Sequence, residues 1–501
     1  VSDLTALLQQ ALALHQAGDL RPAAELYRQV LEKQPQHFDA LHLLGVIARQ
    51  NGEAQAAVEL IRQALAIDAS QAVAHCNLGA ALQDLGQPEA ALASYERAIC
   101  LKPDYAMALQ NRGNALRILG RVDAALLSYD AALAILPDYP EAFYHRGLCY
   151  QALGQSQAAL DDYQQALQLR ARYPQALCAS GVALHSLQHY EAAIAEYENA
   201  LRLQPDYAEA WCNRGSALHK LQEYEAALDS YQHALEIRPD YAKAHEYCGN
   251  VWCALEQPQQ AIAAYQQALA CGGDASQLDY LLATLGVGAT PVTAPSAYVR
   301  QLFDQYAGHF DQHLQTVLGY QLPALLDAAI TRQRPAQQLA TLDAGCGTGL
   351  CGPYLRPYSH SLSGVDLSEK MLEQAAQTSL YDELTCAELS VYLMKQPARF
   401  DLIMAADVLV YIGDLAALFA AAKLALRSGG LFAFSVEQGS ATQSEDFYLQ
   451  ASHRYAHSGT YVQRLAHQHG FSIAEMQAAI ARQDQGADID SWVVVLKASQ
   501  Y

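Results

Sequence analysis

The chain has 501 residues, too many for one ordinary core, so two or more domains are expected. Apolar residues make up 52% and charged residues 17%, which describes a folded protein and not a disordered one. A formal charge of −21 argues against a phosphate backbone as the main partner, because that partner needs dense Lys and Arg. The opening VSDLTALLQQALALHQAGD has no basic segment ahead of its apolar positions, which predicts no secretion signal, and the missing initiator Met suggests a trimmed start. The longest apolar runs, such as Leu402–Ile412 with Asp407 inside it, are too short to span a bilayer, so no membrane partner is expected. Eleven scattered cysteines without a CxxC pair point to reduced thiols in a cytoplasm and away from a disulfide framework or zinc site.

Along the first half, Gly45, Gly79, Gly113, Gly147, Gly181, Gly215 and Gly249 recur every 34 residues, with Ala11 in the slot one period earlier. Twelve residues after each slot stands an alanine, from Ala23 to Ala261. Four further on stands a tyrosine (Tyr27, Tyr95, Tyr129, Tyr163, Tyr197, Tyr231 and Tyr265), with Ile61 the exception. Small residues let two antiparallel helices approach, and the tyrosine fills the gap beside them. In turns such as KPDYA and QPDYA the Pro stops one helix and the Asp offers a cap for the next. This grammar resembles the tetratricopeptide repeat. Eight units cover roughly residues 4–275, which predicts an all-α tetratricopeptide solenoid over 1–275.

Asn77, Asn111 and Asn213 sit two residues before the repeat glycine, about 200° around the helix, and so point away from the packed face. "NRGNAL" and "NRGSAL" are similar to the repeats of protein O-GlcNAc transferases, and that resemblance implies groove asparagines holding a peptide backbone. An amide both donates and accepts, which suits an extended chain of any sequence. His145, Ala179 and Tyr247 interrupt the ladder, so merely solvated polar positions are the alternative. The adjacent Arg112, Arg146 and Arg214 either favour an acidic ligand or pair with the protein's own carboxylates.

"SQLDYLLATLG" then predicts a helix capping the array, and the Gly-, Pro- and Thr-rich "VGATPVTAPS" a boundary near residue 290. Residues 276–295 are thus read as capping helix and linker, and 296–501 as a second domain. There, helical patterns alternate with short apolar runs such as "QLATLDAG", "SLSGVDLS" and "GGLFAFSVE". That alternation predicts an α/β Rossmann-like domain with a mostly parallel sheet.

After the first of those runs comes Gly345-x-Gly347-x-Gly349, preceded by Asp343. A triphosphate loop would carry a Lys after its glycines, and none follows here. A carboxylate at the strand end is awkward beside pyrophosphate and sensible beside an ammonium group. Asp366, seventeen residues past Gly349, ends the next strand, where its carboxylate can accept from both hydroxyls of an unphosphorylated ribose. Together with "FDLIMAADVLVYI", these features resemble the class I S-adenosylmethionine-dependent methyltransferases, over roughly Ala297–Tyr501. The resemblance implies S-adenosylmethionine as cofactor. It places Asp343, Gly345, Cys346, Gly347 and Gly349 around its methionine end and Asp366 on the ribose. Leu367 and Met371 then lie near the adenine, with Ala387, Glu388 and Leu389 at the adenine amino group, where the family often has Asp in place of Glu388. Phe303, Tyr306 and Phe310, at helical spacing before the sheet, would shield the sulfonium; the alternative is the core face of a docked helix.

Candidates for acid–base chemistry must project above the carboxyl ends of the strands. Asp407 and Tyr411 follow the fourth strand and Glu437 the fifth. In "SHRYAHSGTY", Arg454, Tyr455 and Tyr461 are read as substrate-binding and His457 as the base, with a surface histidine as its alternative. His309 with His313, and His453 with His457, are four apart, but no carboxylate at a diagnostic spacing supports a metal, and none is expected. No Asn/Asp-Pro-Pro-aromatic motif follows the fourth strand, which disfavours amino-methylation of adenine and glutamine and lowers the prior for nucleic acid. The expected function is a cytoplasmic methyltransferase whose repeats recruit a protein or peptide. One alternative is a small-molecule or glycan acceptor with the repeats docking a pathway partner, and another is a non-catalytic scaffold. The oligomeric state is left open.

Overall fold

The structure, a computed structural model, describes residues 2–308, 310–312, 314, 318–333, 338–439, 445–484 and 487–499. The chain forms two compact units, Val1–Pro239 and Asp240–Tyr501.

The first unit is built from antiparallel helix pairs, such as Ala72–Asp84 with Pro88–Leu101 and Ala106–Ile118 with Val122–Ile135. The reason for the glycine that recurs in all periods after the first, where Ala11 holds the slot, is visible at each of those pairs. A Cβ on Gly113 would stand 2.6 Å from the Tyr129 ring, and one on Gly79 equally close to Tyr95. The tyrosine therefore lies flat on the first helix's backbone, and only the absence of a side chain permits that approach. Gly45 meets Ile61 in the same way, so the exceptional repeat keeps the same contact.

The turn inside each pair ends the first helix in a left-handed residue. Glycine fills that position at Gly52, Gly86, Gly120 and Gly154, whereas Gln188, Gln222 and Glu256 adopt φ of 63°, 63° and 56° in the later repeats. The Asp of the PDYA turns does not act as the expected cap. The N-cap positions are Tyr105, Tyr207 and Tyr241, without side-chain cap bonds. The turn tyrosines instead reach the neighbouring helix, as where Tyr139 Oη donates to Gln110 Oε1 at 3.5 Å.

The second unit begins with one more pair, Ala242–Ala254 and Pro258–Ala270, followed by the helix Ala275–Thr284. Leu278, Leu281 and Leu282 of that helix recur at helical spacing and bury against Ala261, Tyr265 and Ala268. The helices Ser296–Tyr306 and Leu322–Gln333 precede a sheet with nine strands among the described residues. These are β1 (Leu339–Ala344), β2 (Ser359–Asp366), β3 (Glu383–Cys386), β4 (Phe400–Ala405), β5 (Leu426–Gln438), β6 (Phe447–Leu449), β7 (Tyr455–His457), β8 (Phe471–Asp484) and β9 (Ala487–Ala498).

Their order is β3-β2-β1-β4-β5-β7-β6, with β9 pairing both β5 and β8. The path from β3 to β7 is parallel, while β6, β8 and β9 run antiparallel to their neighbours. Both faces are covered, which explains the near-continuous apolar runs. Ile403, Phe432, Phe434 and Val494 fill one face, and Leu402, Met404, Leu431 and Val495 the other. The order reverses between β1 and β4, the place where an open sheet of this kind leaves a crevice at its carboxyl edge.

Candidate active site

The glycine turn opens at that reversal. Gly345, Gly347 and Gly349 have φ of 70°, 53° and 96°. At Gly345 a Cβ would stand 2.2 Å from Val408 Cγ2, so both space and backbone require glycine there. The N–H groups of Gly345 and Cys346 donate to the Val365 carbonyl at 2.8 and 3.0 Å, tying the turn to the end of β2. Cys346 is buried.

Asp343, at the end of β1, is 1% exposed. Tyr381 Oη donates to its Oδ2 at 2.6 Å, and its Oδ1 is buried without a hydrogen-bond partner. Burial pushes its carboxyl up to about 7, with Tyr381 opposing the shift and Asp366 adding to it. Asp366 is half-buried and oriented by backbone: Gly347 N–H donates to Oδ2 and Ser368 N–H to Oδ1, both at 2.9 Å. Each oxygen keeps a lone pair for a further donor.

The helix Ser296–Tyr306 and the short Phe310–Gln312 segment lie over this loop. Arg300 Nε donates to the Leu367 carbonyl at 3.2 Å, Ser368 Oγ to Asp304 at 2.5 Å, and Thr348 Oγ1 to Asp311. The three aromatics expected there are brought together. Phe303 stands edge-on to Phe310 and to Tyr411, with ring centres 5.9 and 5.5 Å apart, and Tyr306 edge-on to Phe310 at 5.4 Å. Phe310 comes nearest to Gly347.

Of the residues expected at the adenine, Leu367 belongs to the same aromatic cluster as Phe303 and Tyr411. Met371 is fully buried, its N–H capped by Ser368 Oγ. Ala387 N–H donates to the Asp366 carbonyl, and Leu389 turns into the core. Glu388, expected at the adenine amino group, has a carboxylate that accepts from the N–H groups of Ser390 and Val391 at 2.9 and 2.7 Å and caps the helix Leu389–Met394.

At the carboxyl ends of β4 and β5 the structure assembles a charged cluster that local sequence does not reveal. Arg482 of β8, 4% exposed, donates to Asp407 Oδ1 at 3.1 Å and to Glu437 Oε1 at 2.8 Å. Arg454 bonds the same Asp407 oxygen, and its Nε stands 2.7 Å from Glu437 Oε1, an ion pair without hydrogen-bond alignment. Arg454 also donates to Tyr411 Oη at 3.4 Å and lies over that ring. Asp407 takes a left-handed φ of 61°, and its N–H donates to Ser435 Oγ. Asp407, Tyr411 and Arg454 are therefore neighbours, and Glu437 completes the set.

Three other residues of this region serve the fold. His457 is fully buried, with Nε2 2.9 and 3.0 Å from the carbonyls of Ile412 and Gly413, and burial pushes its imidazole down to about 4. A neutral ring held that way is a donor to backbone, which corrects its expected role as a base. Tyr455 is fully buried and donates to the Pro291 carbonyl at 2.8 Å. Tyr461 donates to Asp414 and accepts from Leu415 N–H, both at 2.8 Å. Neither tyrosine keeps a hydroxyl directed at a substrate, contrary to expectation. His309 and His313 lie outside the described residues; among the described residues no group of three or more His, Cys, Asp or Glu is arranged to hold a metal.

Comparison with known proteins matches residues 342–432 to a methyltransferase domain. Residues 72–105, 140–173 and 208–241 match a tetratricopeptide repeat model, and 8–72, 113–154 and 181–222 match further models of that repeat. The chain joins tetratricopeptide repeats to a methyltransferase domain. Malonyl-[acyl-carrier protein] O-methyltransferase of Pseudescherichia vulneris is 32% identical over 137 residues, 27% of this chain and 52% of that protein. Methyltransferase-like protein 27 of Homo sapiens is 36% identical over 106 residues, 20% and 43% of the two chains. Ubiquinone biosynthesis O-methyltransferase of Idiomarina loihiensis is 32% identical over 98 residues, 19% and 40%. The chain thus spans about half the length, or less, of these relatives. Among solved structures, YrrB, a TPR protein with an unusual peptide-binding site, is 24% identical with a TM-score of 0.33, covering 37% of this chain and 96% of its own.

In the tetratricopeptide repeats, Asn77 and Asn111 line one cavity of about 420 Å³ together with Gln83, Gln110, Asn114 and Tyr139. Their amide nitrogens tie neighbouring repeats, Asn77 to His42 at 2.9 Å and Asn111 to Cys76 Sγ at 3.7 Å. Asn213 makes the equivalent contact to Cys178 three repeats further on, outside that cavity. Each carbonyl oxygen is left for another donor. The neighbouring arginines are engaged within the array: Arg146 pairs with Asp162 and Asp130, Arg214 with Glu198, and Arg112 donates to Ser128.

Proposed function

We propose that the protein is an S-adenosylmethionine-dependent methyltransferase whose repeat array recruits a protein or peptide acceptor. The observation that carries the donor half is Asp343: a buried carboxylate oxygen without a partner, beside a turn kept open by three left-handed glycines. An orphaned acceptor of that kind costs about 1–3 kcal/mol unless a donor arrives, and an ammonium group is such a donor. The residues present fit the cofactor. Asp343 holds the ammonium, Asp366 accepts from the ribose hydroxyls, and Phe303, Phe310 and Tyr411 exclude water from the reacting end. Bound S-adenosylmethionine supplies an electrophilic methyl group on its sulfonium.

On the acceptor side, positioning carries most of the rate. The oxygens of Asp407 are taken by two guanidinium groups, which fits shaping the acceptor region better than taking a proton. Tyr411, between Phe303 and Arg454, is the hydroxyl best placed to meet an acceptor. Calorimetry with S-adenosylhomocysteine tests the donor half, and its failure to bind supports a non-catalytic scaffold. Tritiated S-adenosylmethionine with cell lysate tests the acceptor half: label in a protein band is expected, and label confined to small molecules sinks it.

A second reading, a small-molecule or acyl acceptor, is favoured by the O-methyltransferases among the relatives. Removing residues 1–239 separates the two, because Asp240–Tyr501 is the compact unit that contains the whole site. A small-molecule enzyme keeps its kcat/KM in that truncation, and a repeat-recruited protein substrate loses most of it.

A further inference from the structure

The helix Ala275–Thr284 has two working faces. Leu278, Leu281 and Leu282 bury against the last repeat, as described above. Tyr280, fully buried, points the other way: its ring meets Tyr298, His453 and Tyr455 at 5.3, 6.2 and 6.4 Å. Its hydroxyl donates to the His453 carbonyl at 2.6 Å.

His453 belongs to the tight turn between β6 and β7. Gln450 N–H donates to the Arg454 carbonyl at 2.9 Å and His453 N–H to the Gln450 carbonyl at 3.0 Å. His453 sits at φ 60°, a conformation that costs a non-glycine residue energy and persists only where surroundings hold it. Its ring stacks on Tyr298. Both ends of this turn grip one carboxylate, since Gln450 Nε2 donates to Glu437 Oε2 at 2.6 Å and Arg454 pairs with Oε1. A strained turn thus has the charged cluster in front of it and the Tyr280 hydroxyl behind it.

Resting on the methyltransferase reading, we propose that Tyr280 is a positioning residue for methyl transfer. Through the Gln450–Arg454 turn it sets Arg454, Asp407 and Glu437 on the acceptor side, and so makes the helix that closes the repeats part of the catalytic apparatus. Its ring shares an apolar cluster with Phe303, Leu367 and Tyr411, but its hydroxyl bonds only to the turn behind Arg454, so loss of that hydroxyl is expected to act on the acceptor side.

Tyr280→Phe in the full chain keeps the ring and removes the one bond at issue. In hydrogen exchange read by mass spectrometry, amides of residues 447–457 are expected to exchange about tenfold faster, the effect of one lost hydrogen bond. Labelling of lysate protein by tritiated S-adenosylmethionine, at limiting lysate, falls about tenfold or more, while the dissociation constant of S-adenosylhomocysteine stays within about twofold. Unchanged exchange in the turn overturns the proposal, as does faster exchange with undiminished labelling. An equal loss of S-adenosylhomocysteine affinity also overturns it, because that marks a general structural role. Wild type that does not bind S-adenosylhomocysteine sinks the methyltransferase reading, and this inference with it.

Discussion

The phenol of Tyr381 donates to one oxygen of Asp343 at 2.6 Å and leaves the other oxygen buried and alone. Burial pushes the carboxyl up to about 7 in the ligand-free protein, against the Tyr381 bond, which favours the ionised form. A cationic ligand binds the ionised form, so affinity for S-adenosylhomocysteine rises with pH, by up to about tenfold per unit below pH 7, and levels off above it. The sign for stability is opposite. A carboxyl raised in the folded state binds its proton more tightly there, so this group's contribution falls as pH rises from about 4 to about 7. Asp343→Asn removes the pH dependence and weakens binding by about tenfold or more, the value of a charge-assisted bond. Calorimetry between pH 5.5 and 8 decides, and a flat profile contradicts the assignment.

His457 donates to backbone carbonyls and should not take a proton during the reaction. His457→Gln, which keeps a donor at similar reach, is expected to retain methyl transfer to lysate protein within about threefold. A loss of about a hundredfold is what removal of a general base produces, and would restore that role. With its imidazole pushed down to about 4, the folded state disfavours the proton that the unfolded state accepts near 6.5. Its contribution is present above pH 6.5 and is lost as pH falls toward 4.

Arg482 faces Asp407 and Glu437 from β8. Arg482→Gln leaves two carboxylates against Arg454 alone and is expected to cost about 3–5 kcal/mol in urea unfolding. The double change Arg482→Gln with Glu437→Gln removes a charge of each sign and restores part of that loss. If the two costs simply add, the cluster is not a coupled unit.

The repeats make a paired prediction of opposite sign. Gly113→Ala drives a methyl group into the Tyr129 ring and is expected to destabilise the array by about 1–3 kcal/mol. Gln222→Gly relieves a left-handed glutamine on the surface and is expected to stabilise it by about 1 kcal/mol. Thermal and urea unfolding of the full chain measure both.

The alternation of strands with helices and the glycine turn are legible in the chain because their signals are local. A strand end, three glycines and an acid at fixed spacing need no knowledge of distant residues. The charged cluster is legible only in part: Asp407, Glu437 and Arg454 stand out singly as site candidates, but the four members come from four separate segments, and nothing near Arg482 marks it. Tyr381 is equally silent, since its bond to Asp343 spans 38 residues. His457, Tyr455 and Tyr461 misled for the converse reason. The His457 Nε2 and the two tyrosine hydroxyls engage backbone groups and Asp414, and burial, which decides that, is a property of the packed chain.

The sequence by itself determined the repeat period, the helix pairs and the place of the glycine turn, because periodicity and backbone conformation are written in neighbouring residues. Only the tertiary structure decided which oxygen of Asp343 is left without a partner and which arginines surround Asp407. It alone also shows that the helix closing the repeats bonds to the turn behind Arg454. Those outcomes depend on desolvation and on contacts between segments far apart in the chain, and no local pattern encodes them.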